Sequence, residues 1–249
     1  MKYFIGNWKM FGVSKSANII KKIIDYVKKD KKKSNYKVVI APPYTLLQNF
    51  SKNFNSKFLS ISAQNCHFKD NFSSNTGSIS AYMIKELGVQ YLILGHSDNR
   101  SEGDDEKKLS LKVNNALNNN MKVIFCIGEN KKQKKLKKTN LILKKQLSKV
   151  LKFKMKSDNI IVAYEPIWSI GTGLIPKEVE LKNTTVFIKK TLKKIFKSKK
   201  TPRVLYGGSV DGGNIEELRR IKEIDGFLIG GASKSYKKFI DIIRNYYRY

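Results

Sequence analysis

Eight short runs of β-branched and aromatic residues recur along the chain: YFIGN (3–7), KVVIA (37–41), LSISAQ (59–64), YLILG (91–95), KVIFCI (122–127), IIVAY (160–164), RVLYG (203–207) and GFLIG (226–230). They are apolar almost throughout rather than alternating, the pattern of strands buried on both faces. Longer segments with helical spacing separate them; Ile19, Ile20, Ile23, Ile24 and Val27 fall on one helix face. Strand and helix in alternation imply parallel strands, because a parallel connection needs a crossover that a helix supplies. Eight such units in 249 residues are the count and size of a (β/α)8 barrel. A doubly wound open sheet satisfies the same pattern. No linker, low-complexity tail or short-period repeat interrupts the sequence, so the expectation is an α/β fold with a single domain over residues 1–249.

In a parallel barrel the chemistry gathers at the C-terminal ends of the strands. The first run is followed by Trp8 and Lys9 behind Asn7, the fourth by His96 and Ser97, and the fifth by Gly128 and Glu129. Glu165 and the loop PIWSIGTG follow the sixth, Gly208-Ser209 the seventh, and Gly230-Gly231-Ala232-Ser233 the eighth. Glu165 is a carboxylate at a strand end, with Pro166 next and Gly171 and Gly173 beyond. A solvated loop acid needs no such company, whereas a base that must be covered during its reaction does. The last two glycine turns suit a phosphate, since glycines let backbone N–H groups approach an anion.

His96 precedes SDNRSEGDDE, a helix entry rich in acids and cap residues. Near a helix N-terminus an imidazole tends to stay neutral and can donate a proton to an oxygen. His67 has no comparable setting and reads as structural. Cys66 and Cys126 form no CxxC and read as buried packing groups. Glu129 reads as an ion-pair partner for a basic neighbour. A carboxylate base, a neutral imidazole, a lysine and a phosphate cradle suit one reaction class, proton abstraction beside a carbonyl to give an enediolate. There is no GxGxxG and no metal-ligand spacing, and no cofactor or metal is expected.

The composition sets 50 basic residues against 20 acidic ones, a net charge of +30. Nucleic-acid binding is one reading of that excess. Codon bias is the other: lysine, asparagine and isoleucine are abundant, arginine is scarce, and the lysines occur throughout, as in 21–33, 131–138 and 189–200. No RNA-binding aromatic motif or basic zipper accompanies them, so codon bias is the preferred reading and no nucleic-acid partner is expected. A basic surface still speeds capture of a small anion. No apolar run approaches the ~20 residues that span a bilayer. MKYFIGNWKM enters a strand at once without a signal-peptide core, and the expected location is cytoplasmic.

GNWKM, APPYTLL, AQNC, ILGHS, FCIGE, YEPIWSIGTG, YGGSV and FLIGGAS, in this order over the whole length, resemble the triosephosphate isomerase family. The resemblance implies a TIM barrel that interconverts D-glyceraldehyde 3-phosphate and dihydroxyacetone phosphate without a cofactor. It implies Glu165 as the base, neutral His96 as the proton shuttle between oxygens, Lys9 as the stabilising cation and Asn7 as an orienting group. Backbone groups at Gly171, Ser209, Gly230 and Gly231 would hold the phosphate. The lid would be 166–173, with Glu129 and Trp168 latching its open form and Tyr206 holding its closed one.

Several positions depart from the family pattern. Phe11 replaces an asparagine, and Asp98 replaces a glutamate that arranges the lysine. Asn99 and Ser78 replace an arginine and an acid that face each other across a dimer interface. Both are neutral here, so neither leaves a charge buried alone. The resemblance implies a homodimer whose loop 64–80 reaches into the partner. The loop after Arg100 is one residue short, which would loosen the helix entry behind His96. The competing reading is a degenerate barrel kept as a basic nucleic-acid or anion-binding protein.

Overall fold

The computed structural model describes residues 1–69, 71–198 and 202–248. Asp70 of the 64–80 loop and Lys199 and Lys200 of the basic 189–200 run lie outside the described residues. Strands β1 (Lys2–Asn7), β2 (Tyr36–Ala41), β3 (Ser60–Ala63), β4 (Tyr91–Leu94), β5 (Lys122–Ile127), β6 (Ile160–Tyr164), β7 (Arg203–Tyr206) and β8 (Gly226–Ile229) close into a barrel in chain order. Every pair is parallel, and β8 returns to β1 through Tyr3–Gly226 to Gly6–Ile229. Closure excludes the open sheet. Each of the eight expected runs is a strand, to within one residue at either end.

Side-chain alternation divides the strands' apolar residues between two cores. Tyr3, Ile5, Val39, Ala41, Tyr91, Ile93, Ile124, Cys126, Ile161, Ala163, Leu205 and Leu228 pack together inside the barrel. The intervening residues, such as Phe4, Val38, Leu92, Val123, Val162, Val204 and Phe227, face the helices. Helix Ala17–Lys29 buries Ile20, Ile23 and Val27 against that outer layer, with Ile19 and Ile24 partly buried beside them. Each fully buried aliphatic side chain contributes about 1.5–3 kcal/mol. The run pattern reads as continuously apolar because both faces of every strand are covered.

The inward alternation continues past the apolar core at each end. Upward it reaches Asn7 after Ile5 and Glu165 after Ala163, and downward it reaches Lys37, Lys122 and Arg203. Among the described residues no helix is long and apolar enough to cross a membrane.

Candidate active site

Glu165 is the first residue beyond β6, and its N–H donates to the Ile127 carbonyl at 2.8 Å. Two glycines make room for it. A Cβ on Gly128 would sit 1.9 Å from the Glu165 carbonyl oxygen, and one on Gly207 would sit 2.6 Å from Glu165 Cγ. Either side chain would expel the glutamate. Its carboxylate is buried, with Oε1 3.6 Å from His96 Nε2, while Oε2 has no hydrogen-bond partner among the described residues. A buried carboxylate oxygen without a donor is an acceptor kept ready for a proton that substrate brings. Cys126 lies beneath this carboxylate, and burial, with the glutamate's charge, pushes its thiol well above the usual range. It is therefore no nucleophile.

His96 caps helix Ser97–Ser101, and its Nδ1 accepts the Asp98 N–H at 3.1 Å. An accepting Nδ1 carries no hydrogen, which leaves the hydrogen on Nε2, facing Glu165 and the cavity. Asp98 Oδ2 lies 3.4 Å from the same Nδ1, but its shorter contact is the ion pair with Lys9 Nζ at 3.1 Å. The shorter aspartate therefore reaches the lysine. The helix entry is also not loosened by its short loop. Arg100 pins it, donating from Nε to the Gly95 carbonyl at 2.8 Å and from Nη2 to the Cys126 carbonyl at 3.3 Å.

Lys9 has φ +55°, a left-handed conformation costly for a residue with a Cβ. Its N–H donates to Asn7 Oδ1 at 3.1 Å. Gln64 Nε2 donates to the Lys9 carbonyl at 3.0 Å and to the Ala41 carbonyl at 2.8 Å. Gln64 thus clamps the strained turn to the end of β2. Its inward register on β3 was the available signal, and the sequence reading gave it no such role.

The lid is anchored at both ends. Trp168 Nε1 donates to Glu129 Oε1 at 2.9 Å, and the Tyr164 hydroxyl donates to the same carboxylate at 3.2 Å. Lys134 Nζ lies 3.6 Å from the Trp168 ring centroid. Glu129 is fully buried, and burial raises its pKa above the ordinary carboxylate value. At the other end Gly173 N–H donates to Ser209 Oγ at 3.0 Å, and Ser209 Oγ donates to the Ser169 carbonyl at 2.6 Å. The Tyr206 hydroxyl meets Ser169 Oγ at 2.9 Å. Gly171 and Gly173 have φ +70° and +77°.

This arrangement corrects two expectations. Glu129 bonds Trp168 and Tyr164 rather than serving only a basic neighbour. The Trp168–Glu129 bond coexists with the contacts to Ser209 and Tyr206, so it is not the mark of an open lid.

A Cβ added at Gly230 or Gly231 would meet nothing within 4 Å, so the backbone of both faces open space. Ser233 holds this turn, donating to the Gly230 carbonyl at 2.7 Å, and Trp8 Nε1 fixes the Ser233 carbonyl at 3.0 Å. A cavity of about 380 Å³ results. Asn7, Lys9, His96, Glu165, Gly171, Ser209, Gly230 and Gly231 all line it, so every predicted site residue is brought together. Lys238, at the rim, was missed among the many exposed lysines. His67 lies away from the cavity, its Nδ1 accepting the Lys69 N–H at 3.2 Å, as a structural residue would.

A family model described as triosephosphate isomerase matches residues 2–246. A protein of Neurospora crassa named triosephosphate isomerase is 38% identical over 246 residues, covering 97% of each chain. One of Stellaria longipes, named triosephosphate isomerase, cytosolic, is 35% identical over 98% of this chain and 96% of its own. The crystal structure of triosephosphate isomerase from Bartonella henselae superposes with a TM-score of 0.89 at 31% identity, covering 98% of both chains.

Proposed function

The chain belongs to the triosephosphate isomerase family and is an isomerase that interconverts triose phosphates, and we propose that Glu165, His96 and Lys9 carry the reaction in this cavity. The observation that carries the assignment is the buried Glu165 carboxylate, 3.6 Å from His96 Nε2 and with Oε2 unpartnered among the described residues, on the wall of the cavity that Gly230 and Gly231 also line. Glu165 removes the proton from the carbon beside the carbonyl. Nε2–H of neutral His96 donates to the carbonyl oxygen as negative charge develops there, and the ammonium of Lys9 stabilises that charge. Asn7, whose Oδ1 is occupied by the Lys9 N–H, offers its amide N–H to the substrate oxygen. Glu165 then returns the proton to the neighbouring carbon, and His96 recovers its own from the other oxygen. No atom enters or leaves overall.

The phosphate rests against the backbone of Gly171, Ser209, Gly230 and Gly231. The lid over it excludes water, which strengthens every electrostatic contact and protects the enediolate. Glu165→Gln keeps the shape and removes the base. The fold is expected to be retained, with kcat lower by about a hundredfold to ten-thousandfold. A folded variant with parental kcat would remove Glu165 from the base's role.

We extend the reading to a cytoplasmic enzyme, in line with the word cytosolic in the Stellaria relative's name, although a relative from Fragaria ananassa is named chloroplastic. We also extend it to a homodimer. The face around loop 64–80 exposes Met10 and Phe72 to solvent, and Phe72 stacks edge-on against Tyr82 at 5.5 Å. A monomeric mass at micromolar concentration would remove the dimer from the reading. The competing role as a basic nucleic-acid-binding barrel draws no support from the relatives named above.

A further inference from the structure

Lys134 belongs to the basic run 131–138, one of the lysine-rich segments that codon bias accounts for. Its surroundings distinguish it from the other lysines. Glu129 lies in the turn after β5, and the short helix Lys131–Lys135 begins at once behind it. A reciprocal cap fixes that helix. Asn130 Oδ1 accepts the Gln133 N–H at 2.8 Å, and Gln133 Oε1 accepts the Asn130 N–H at 2.9 Å. Lys134 therefore leaves the backbone at a defined point, close in sequence to the carboxylate that Trp168 bonds.

Its ammonium has two partners. Nζ lies 3.6 Å from the centroid of the Trp168 ring and 2.8 Å from Glu180 Oε1. Other lysines also stand near rings, three of them around Phe58 at 5.2–5.9 Å. Such distances suit a solvated head on a stem that passes an aromatic surface. At 3.6 Å the ammonium is seated on the indole, where the ring quadrupole attracts it. Trp168 stands in the first half of the lid, and Glu180 stands in the first turn of the helix Glu178–Phe196 that follows the lid. One cation thus ties together the two sides of the lid.

An ion pair whose side chains are 30% and 41% exposed contributes little by itself. The other edge of the same ring gives this one a consequence. Trp168 Nε1 donates to Glu129, which is fully buried and also accepts from the Tyr164 hydroxyl. A cation over the ring face draws electron density from the indole and makes its N–H a stronger donor. Burial raises the Glu129 pKa, and the Trp168 N–H and the Lys134 charge both oppose that rise. The ring is therefore held between a cation and a carboxylate, with Glu180 behind the cation. The lid's contacts to Ser209 and Tyr206 are made at the same time, so this stack accompanies the covered cavity.

We propose that Lys134 is a positioning residue for the lid: anchored on Glu180, it seats the Trp168 ring and holds 166–173 over the cavity. The inference rests on the isomerase reading, since the lid serves catalysis only where an enediolate must be kept from water. Lys134 does not line the cavity and so touches no reacting atom. Its loss lets the first half of the lid rise. Substrate then binds less tightly. An enediolate left uncovered also expels phosphate more often before Glu165 returns the proton, by breaking the adjacent C–O bond, whose electron pair leaves with the phosphate.

The test compares three variants. Lys134→Met keeps the stem and removes the charge, Lys134→Arg keeps both, and Glu180→Gln removes the anchor. The readouts are KM and kcat, inorganic phosphate released per isomerisation, and hydrogen exchange across 166–174 in the free protein. Lys134→Met is expected to raise KM and phosphate release about three- to tenfold. It is also expected to speed exchange in 166–174 while the rest of the chain exchanges as in the parent. Glu180→Gln is expected to act in the same direction to a smaller extent, and Lys134→Arg to stay close to the parent. A merely structural role would speed exchange in the helix Lys131–Lys135 and leave phosphate release per isomerisation unchanged. Parental KM, phosphate release and lid exchange in Lys134→Met overturn the proposal, as does a loss in Lys134→Arg equal to that in Lys134→Met. An inactive parent would instead overturn the isomerase reading, and lid exchange, which needs no turnover, would still test the clasp.

Discussion

Lys9 combines a strained backbone with a charge aimed at the substrate cavity, and two side chains hold it there. Gln64 fastens its carbonyl, and Asp98 fastens its ammonium. Gln64→Ala removes two hydrogen bonds from a partly buried amide. It is expected to lower stability by about 1–3 kcal/mol and to raise KM, read by chemical denaturation and steady-state kinetics. Asp98→Asn breaks an ion pair whose partners are 32% and 56% exposed, so the stability change is expected to stay within about 1 kcal/mol. Its effect is expected in kcat, and Asp98→Glu should preserve activity because it keeps the charge. A fall in kcat for the glutamate equal to that for the asparagine would mean that position, not charge, is what Asp98 supplies. Glu129 carries the residue-scale pH dependence. Its folded pKa is raised above 4.5, so just above that pH the native state binds more protons than the unfolded one. Stability from this group is present at lower pH and falls as pH rises through the raised value. Glu129→Gln keeps an acceptor for Trp168 and Tyr164 and is expected to gain on the parent between pH 4.5 and neutrality in paired denaturation curves. The types and places of Glu165, His96 and Lys9 were legible in the sequence because each lies within two residues of the end of a recognisable strand. The duties of Gly128 and Gly207 were not. Both are set by clashes with Glu165, a residue distant in sequence, and no local pattern encodes such a clash.

The lid shows what an element-scale pattern reveals and what it hides. Proline before and glycines after Ser169 are visible in the sequence, and the positive φ of Gly171 and Gly173 bears out the need for glycine. That both ends are fastened at once depends on neighbours contributed by β5, β6 and β7, which only barrel closure brings together. Gly208 is the tightest of these meeting points. A Cβ there would sit 2.2 Å from the Tyr206 hydroxyl and 2.5 Å from Ser169 Oγ. Gly208→Ala is therefore expected to force the lid off Ser209 and Tyr206, with a lower kcat and faster hydrogen exchange confined to 166–174. Unchanged exchange in that segment would show that the clasp yields by rotating Tyr206 instead. Tyr206→Phe removes the hydroxyl without adding bulk, and a smaller effect in the same direction is expected. Burial pushes the Tyr206 hydroxyl up to about 12, so its bond to Ser169 persists through neutral and mildly alkaline pH. The part of the lid's stability owed to that hydroxyl is retained below pH 10 and lost as pH rises toward 12.

At the scale of the molecule one rule, the alternation of side chains along eight parallel strands, distributes three kinds of residue. The apolar middle fills the barrel, the upper continuation is the catalytic rim, and the lower continuation is a cluster of cations. The barrel and its upper rim were legible because apolar runs and the polar residues after them are contiguous in sequence. The lower cluster was not, because Lys37 and Lys122 are single lysines in a chain that carries a net charge of +30. Lysines also gather over the Phe58 ring, so what sets this pair apart is its inward register on β2 and β5. The excess charge has a consequence for the whole fold. Unfolding separates like charges, and salt screens them over about 8–10 Å near physiological ionic strength, so the native state gains more from added salt than the unfolded chain does. Thermal midpoints are expected to rise as sodium chloride is increased from low concentration. Lys37→Gln combined with Lys122→Gln should be more stable than the parent at low salt, since it removes a repulsion that burial leaves poorly screened. That advantage should shrink as chloride is added. Raising the pH toward 10.5 should narrow the gap as well, because a Lys122 pKa lowered in the native state lets the unfolded chain bind more protons in that window, and the parent's stability climbs with pH. If the two proteins instead unfold together at every salt concentration and pH, solvent already absorbs the repulsion between the two lysines.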